Sequence, residues 1–319
     1  YAPTQELRNI GKDILSGLAD WSYGKMNPLS EAKRNEVLKF REYGGMAEVL
    51  WQTYAVTGKE EHRKAATYFE EKDFLDKIYN NQDALKGLHA NTTIPKFLGC
   101  AAAYEVTGKE YYKTICVNAY NMIMKRTYAN GGTGDQEWWY TDAENTPESY
   151  ESAETCCSYN MLKLADYLYR WTGDKTYADY FENTYTNHIL ASMAPDSGLK
   201  TYLTNTEFGY YKIYHTVDKS FWCCACTGME SFAKLPYGIY YTDITESAAA
   251  PVVRVNMFYP SEYKVSDTIT VTQSGNFYAD QKTLFTVKGS GQFTLALRLP
   301  DWANGNITIK LNGAVQSVT

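Results

Sequence analysis

Apolar residues recur at helical spacing through the first two thirds of the chain, interrupted three times by one phrase: Tyr54-Ala-Val-Thr-Gly58-Lys-Glu, Tyr104-Glu-Val-Thr-Gly108-Lys-Glu and Tyr169-Arg-Trp-Thr-Gly173-Asp-Lys. In each, glycine supplies the left-handed residue that ends one helix, and the charged residues after it open the next. The pattern predicts three helical hairpins. The first joins Gly45-Met46-Ala-Glu-Val-Leu50-Trp51 to Tyr68-Phe69 and Phe74-Leu75, and the second joins Ile94 to Leu98 with Ile115 to Tyr120. The third runs from Tyr159 through Leu168 and on to Ile189. The intervals between the Thr-Gly pairs are too long for a two-helix solenoid and leave room for loops between hairpins. A ring of hairpins with its loops gathered at one mouth fits this pattern.

From about residue 250 the period changes to two. Val252 to Phe258, Thr268 to Thr272, Leu284 to Val287, Phe293 to Leu299 and Ile307 to Leu311 read as short strands rich in Val, Ile, Thr and Phe, and Asn312-Gly313 reads as a hairpin turn. Helices followed by strands predict two domains, 1–245 and 246–319, joined through Glu246-Ser-Ala-Ala-Ala250.

Composition narrows the partners. The 319 residues carry a net charge of −6 without a basic run, which argues against nucleic acid and anionic membranes, and no stretch approaches a membrane span. Tyrosine is abundant, at 29 residues, and such rings suit a cleft that stacks on sugars.

Candidate chemistry lies in two cysteine clusters, Glu154-Thr155-Cys156-Cys157 and Cys223-Cys224-Ala225-Cys226. Thiolates and a carboxylate on two separated segments are a ligand set for zinc. Disulfides and plain core cysteines are the competing readings, and clustering weakens the second. Glu137, in the loop Gly131-Gly-Thr-Gly-Asp-Gln-Glu-Trp-Trp139, stands beside rings that would shield its carboxyl from water, as a general acid requires, and the competing reading, favoured on the loop alone, is a solvated loop glutamate. Trp138 offers a face for a sugar. His89 precedes a helix start rich in capping residues, whereas His62, in Glu-Glu-His-Arg-Lys, reads as part of a solvated face.

Four motifs carry a resemblance: Leu88-His-Ala-Asn-Thr-Thr-Ile-Pro-Lys96, Gly131-Gly-Thr-Gly134, Ala153-Glu-Thr-Cys-Cys-Ser-Tyr-Asn-Met-Leu-Lys-Leu164 and Ser220-Phe-Trp-Cys-Cys-Ala-Cys-Thr-Gly-Met-Glu-Ser231, with Arg298-Leu-Pro-Asp-Trp302 as a weaker fifth. Together they resemble the beta-L-arabinofuranosidases of glycoside hydrolase family 127 and the related family 146. The resemblance implies a mainly α fold, an (α/α)6 toroid incomplete at its N-terminus, followed by a β-sandwich. It implies Zn2+ held by Glu154, Cys156, Cys223 and Cys224, with Cys223 the nucleophile and Glu137 the acid/base of a retaining glycosidase acting on L-arabinofuranosides. His89 and Glu42 would line the sugar site. Cys157 and Cys226 are additional thiols beside it. The alternative is a non-catalytic carbohydrate-binding or structural protein in which zinc only ties loops together. Ligating thiols favour a reducing cytoplasm over export.

Overall fold

A computed structural model of the protein describes residues 3–39, 42–146, 148–243, 250–303 and 307–317. Two helices come first, α1 (Gln5–Met26) and α2 (Glu31–Leu38). Three hairpins follow: α3 (Met46–Thr57) with α4 (Glu60–Thr67), α6 (Ala90–Thr107) with α7 (Glu110–Met124), and α8 (Thr155–Thr172) with α9 (Lys175–Thr184). Between the first two hairpins lies α5 (Lys72–Tyr79), and α10 (Cys223–Ile239) ends the helical part.

The repeated phrase acts as one device in all three hairpins. Gly58, Gly108 and Gly173 take φ of 65°, 65° and 66°, and each returns its N–H to the carbonyl of the phrase's tyrosine. The threonine before each glycine donates back into its own helix, to Thr53, Ala103 and Leu168, and accepts the N–H of the residue after the glycine.

Each hairpin buries one apolar seam. Helix α3 packs on α6, α6 on α8 and α8 on α10, with α7 and α9 behind. Leu50, Trp51, Ile94, Phe97, Leu98, Ile115, Met161, Leu164 and Leu168 fill the core between these layers. Because each inner helix returns through an outer one, α6, α8 and α10 begin at the same end of the layer, and their N-termini carry the candidate site residues His89, Glu154, Cys156, Cys223 and Cys224.

His62 corrects the expectation of a solvated face. It is fully buried, with Nε2 2.8 Å from Asp20 of α1 and Nδ1 2.8 Å from Thr57. The charged neighbours point outward while His62 turns toward the seam where α1 crosses α4.

The β domain starts without a break from α10. β1 (Tyr240–Asp243) pairs antiparallel with β2 (Val252–Val255), which pairs parallel with β6 (Thr294–Leu297). A second sheet orders β3 (Ser261–Lys264), β4 (Ile269–Ser274) and β5 (Leu284–Gly289), and β7 (Ile309–Leu311) with β8 (Ala314–Gln316) forms a hairpin. Apart from Ala250, the expected junction at 246–250 lies outside the described residues. Strands β1 and β3 carry no apolar alternation to be seen in sequence: β1 is partly buried on both faces, and β3 sets partly buried Ser261 and Tyr263 against exposed Glu262 and Lys264.

Candidate active site

Three irregular segments assemble across the N-terminal ends of the inner helices. The Gly131 loop, residues 149–154 and residues 200–206 are stitched by Ala153 N–H to the Gly134 carbonyl (2.9 Å), Gln136 N–H to Glu151 (2.9 Å), Thr204 N–H to Ser152 (3.0 Å) and Thr155 N–H to Tyr202 (3.1 Å). Close approach requires glycine in the first: a Cβ on Gly132 would lie 2.5 Å from that of Ala153 and 3.1 Å from the His188 ring.

Glu137 sits at a strained tip. Asp135 and Trp138 exchange both backbone hydrogen bonds across a two-residue turn, with φ of 45° at Gln136 and 68° at Glu137. Both values are positive, as in a type I′ turn that normally takes Asn-Gly, so each non-glycine residue costs about 1–2 kcal/mol. The surrounding stitches hold the tip in place, and its carboxyl is engaged at both oxygens. Oε1 accepts from the Tyr202 hydroxyl and Oε2 lies 3.1 Å from Nε2 of His89. His89 caps α6 through Nδ1, which accepts the Thr92 N–H at 3.2 Å. The ring proton is therefore on Nε2 and points at Glu137. Trp138, partly exposed, packs edge-on to His89 at 5.3 Å and stacks with Tyr140.

The thiol cluster lies on the other side of Tyr202. Glu154 is the N-cap of α8 without using its side chain as a cap, Cys156 is in that helix's first turn, and Cys223 and Cys224 open α10. One ligand atom from each of the four lies within 4.8 Å of the others, an arrangement that can hold a metal ion. Cys156 and Cys224 sulfurs are 3.3 Å apart, Cys223 and Cys224 3.9 Å, and Glu154 Oε1 is 3.7 Å from both Cys223 and Cys224. Its other oxygen, Oε2, faces the buried Cys157 thiol at 3.4 Å.

Burial pushes the Glu154 carboxyl up to about 8, and the facing Cys223 and Glu137 charges push the same way. Hydrogen bonds from Cys156 and Cys224 hold the Cys223 thiol far below its ordinary value, while Cys156 and Cys224 are raised. Two helix N-termini pointing into the cluster favour negative charge there. The cluster and Glu137 meet through one atom: the Tyr202 oxygen is also 3.6 Å from the Cys223 sulfur.

A model of the beta-L-arabinofuranosidase GH127 catalytic domain matches residues 10–237, and the GH127 middle domain matches residues 252–319. The chain belongs to the GH127 family. It is 25% identical over 224 residues to the non-reducing end beta-L-arabinofuranosidase of Bifidobacterium longum subsp. longum, a match covering 65% of this chain and 32% of that protein. Among solved structures, a GH127 beta-arabinofuranosidase superposes with a TM-score of 0.66 at 21% identity, over 86% of this chain and 47% of the other. A GH127 beta-L-arabinofuranosidase from Geobacillus stearothermophilus T6 gives 0.64 at 20% identity, over 85% and 49%. The toroid with a following β domain is thus the family's fold, and the chain spans about a third to a half of the length of these relatives.

Each residue read as functional has a definite place. Glu137 and His89 are in contact, Trp138 flanks them, and Glu154, Cys156, Cys223 and Cys224 converge. Glu42 is exposed between α2 and α3 and forms no hydrogen bond to either group. Cys226 is exposed and outside the four-residue cluster, and all seven cysteines are free thiols, against the disulfide alternative. Tyr202 carried no signal. Tyr202 is one of 29 tyrosines, and only the fold shows that it bridges Glu137 and Cys223.

Proposed function

We propose that this chain is the catalytic part of a zinc-dependent retaining glycosidase that releases beta-linked L-arabinofuranose from plant-derived glycans. The observation that carries this reading is the position of Cys223, whose sulfur belongs both to the four-residue cluster and to the hydrogen-bond line through Tyr202 to Glu137. Zn–S bonds of about 2.3 Å and a Zn–O bond of about 2.0 Å in a tetrahedron require ligand separations of about 3.5–3.8 Å. Four of the separations in the cluster run from 3.3 to 3.9 Å and all lie within 4.8 Å, so the donor set suits zinc in number and chemistry and lies close to the size it requires. When bound, zinc keeps its cysteine ligands deprotonated at neutral pH.

Cys223 thiolate attacks the anomeric carbon, the bond to the leaving oxygen breaks, and the Glu137 proton goes to that oxygen. In the second half Glu137 takes a proton from water, which displaces the sulfur and regenerates the thiolate. Both groups touch one hydroxyl oxygen, a placement in keeping with the roughly 5–5.5 Å between the paired groups of retaining enzymes. His89 and Tyr202 fix the plane of the Glu137 carboxyl, and Trp138 offers a wall for the sugar. Specificity for arabinofuranose rests on family membership and the relatives' activities.

The test compares wild type, Glu137→Gln and Cys223→Ala on p-nitrophenyl beta-L-arabinofuranoside and on an unactivated arabinofuranoside. Loss of Glu137 is expected to slow the unactivated substrate by about 10²–10⁴-fold, and loss of Cys223 to abolish turnover of both. Full turnover by Cys223→Ala would leave a different catalytic reading in its place, and a wild type without turnover the non-catalytic one.

A further inference from the structure

Just past Glu137 the chain alternates between outside and inside. Trp138 forms an antiparallel bridge with His89, and successive side chains of a strand-like segment point to opposite faces. Trp139 takes the inner face: it is 2% exposed, and its indole N–H donates to the Thr133 hydroxyl at 2.9 Å. Its backbone is clamped as well, with its N–H on the Leu88 carbonyl (3.0 Å) and its carbonyl accepting from Gly87 (2.6 Å). Trp138 and Tyr140 are thereby turned outward together, 38% and 50% exposed, with their ring planes 19° apart and their centres 6.3 Å apart. The buried tryptophan between them fixes this two-ring surface before any ligand arrives, which lowers the entropy lost on binding.

A continuous series of contacts relates that surface to the reacting groups. The Cys223 sulfur meets the Tyr202 oxygen at 3.6 Å, and the same hydroxyl donates to Glu137. Glu137 lies 3.1 Å from His89, the His89 ring is 5.3 Å from that of Trp138, and Trp138 stacks with Tyr140. The nucleophilic sulfur is at one end of the series and Tyr140 at the other, with the acid between them. In a retaining displacement the nucleophile and the leaving group lie on opposite sides of the anomeric carbon, and the acid stands beside the leaving oxygen. The rings past Glu137 are therefore on the leaving-group side. In a glycan the leaving group is another sugar, whose C–H face fits an aromatic ring.

We propose that Tyr140, together with Trp138, forms the subsite for the leaving sugar and makes the enzyme prefer an arabinofuranose that is linked to a further sugar. This inference rests on the glycosidase reading above. The test measures kcat/KM of the full chain on a beta-L-arabinofuranosyl disaccharide and on methyl beta-L-arabinofuranoside, which share the reacting sugar and differ in the leaving group. The p-nitrophenyl glycoside is avoided because its own ring would stack. Wild type is expected to favour the disaccharide. Tyr140→Ala is expected to lower kcat/KM on the disaccharide by about 5- to 10-fold and on the methyl glycoside by less than about twofold, whereas Tyr140→Phe, which keeps the ring, stays within about twofold of wild type on both.

Equal losses on both substrates in Tyr140→Ala would show that the ring acts through the fold or through Glu137, and an unchanged preference would show that the leaving sugar does not touch it. Either result overturns the proposal. A wild type that hydrolyses both substrates equally well removes the leaving-sugar subsite and leaves the glycosidase reading standing. A wild type that hydrolyses neither removes that reading and the subsite with it.

Discussion

Glu137, His188 and Tyr202 show how much a single side chain's role depends on neighbours remote in sequence. Glu137 was legible because a glycine loop and two tryptophans surround it, but its left-handed backbone and its two hydrogen-bond partners come from residues 48 and 65 positions away. His188 is fully buried behind Gly132, with Nδ1 2.6 Å from Ser158, and burial pushes it down to about 4. Its folded value lies below the ordinary histidine value, so the unfolded chain binds the extra proton first. Stability attached to His188 is therefore present above about pH 6.5 and lost as pH falls toward 4, by up to about 3 kcal/mol. Urea unfolding of wild type and His188→Asn at pH 7 and pH 5 checks this: the wild type's advantage is expected to shrink by about 2 kcal/mol at pH 5. An advantage that does not change with pH would count against a neutral buried imidazole.

Among the elements, the hairpins were the most readable part of the chain because the Tyr-x-x-Thr-Gly phrase fixes a local hydrogen-bond pattern that needs no tertiary help. Nothing lies within 4 Å of a Cβ placed on Gly58, Gly108 or Gly173, so alanine there meets only the left-handed backbone. Each Gly→Ala variant is expected to lose about 1 kcal/mol, equally at the three sites, by denaturant unfolding. A cost several times larger at one site would reveal a packing role. The segments that carry Glu137, Glu154 and Tyr202 were less readable: they form isolated bridges rather than periodic strands, and their pairing joins residues far apart in sequence. Helix α1 escaped notice because several of its large apolar residues, including Ile14 and Trp21, remain exposed.

For the molecule as a whole, a buried cation of the β domain binds it to helix α9. Arg298, from the motif Arg298-Leu-Pro-Asp-Trp302, donates to Asp179 and to Glu182 (2.6 Å) of α9 and to the Asn256 carbonyl. Trp302 and Tyr278 add donors to Glu182 at 3.1 and 2.7 Å. Arg298→Met is expected to destabilise the protein by about 3–5 kcal/mol, since it strands Glu182 in the interface, whereas removing both partners costs less. A loss below about 1 kcal/mol in thermal or denaturant unfolding would show that the interface does not depend on this pair.

The convergence of Cys223 with both the metal-binding cluster and the acid/base is the central claim, and the covalent intermediate tests it most directly. Glu137→Gln should accept sugar from p-nitrophenyl beta-L-arabinofuranoside, whose leaving group needs no proton, but hydrolyse the product slowly. Acid quenching followed by peptide mapping by mass spectrometry is expected to find one pentosyl unit on the Cys223 peptide, and none in Glu137→Gln/Cys223→Ala. An unmodified Cys223, or a sugar carried on a carboxylate instead, would contradict the account.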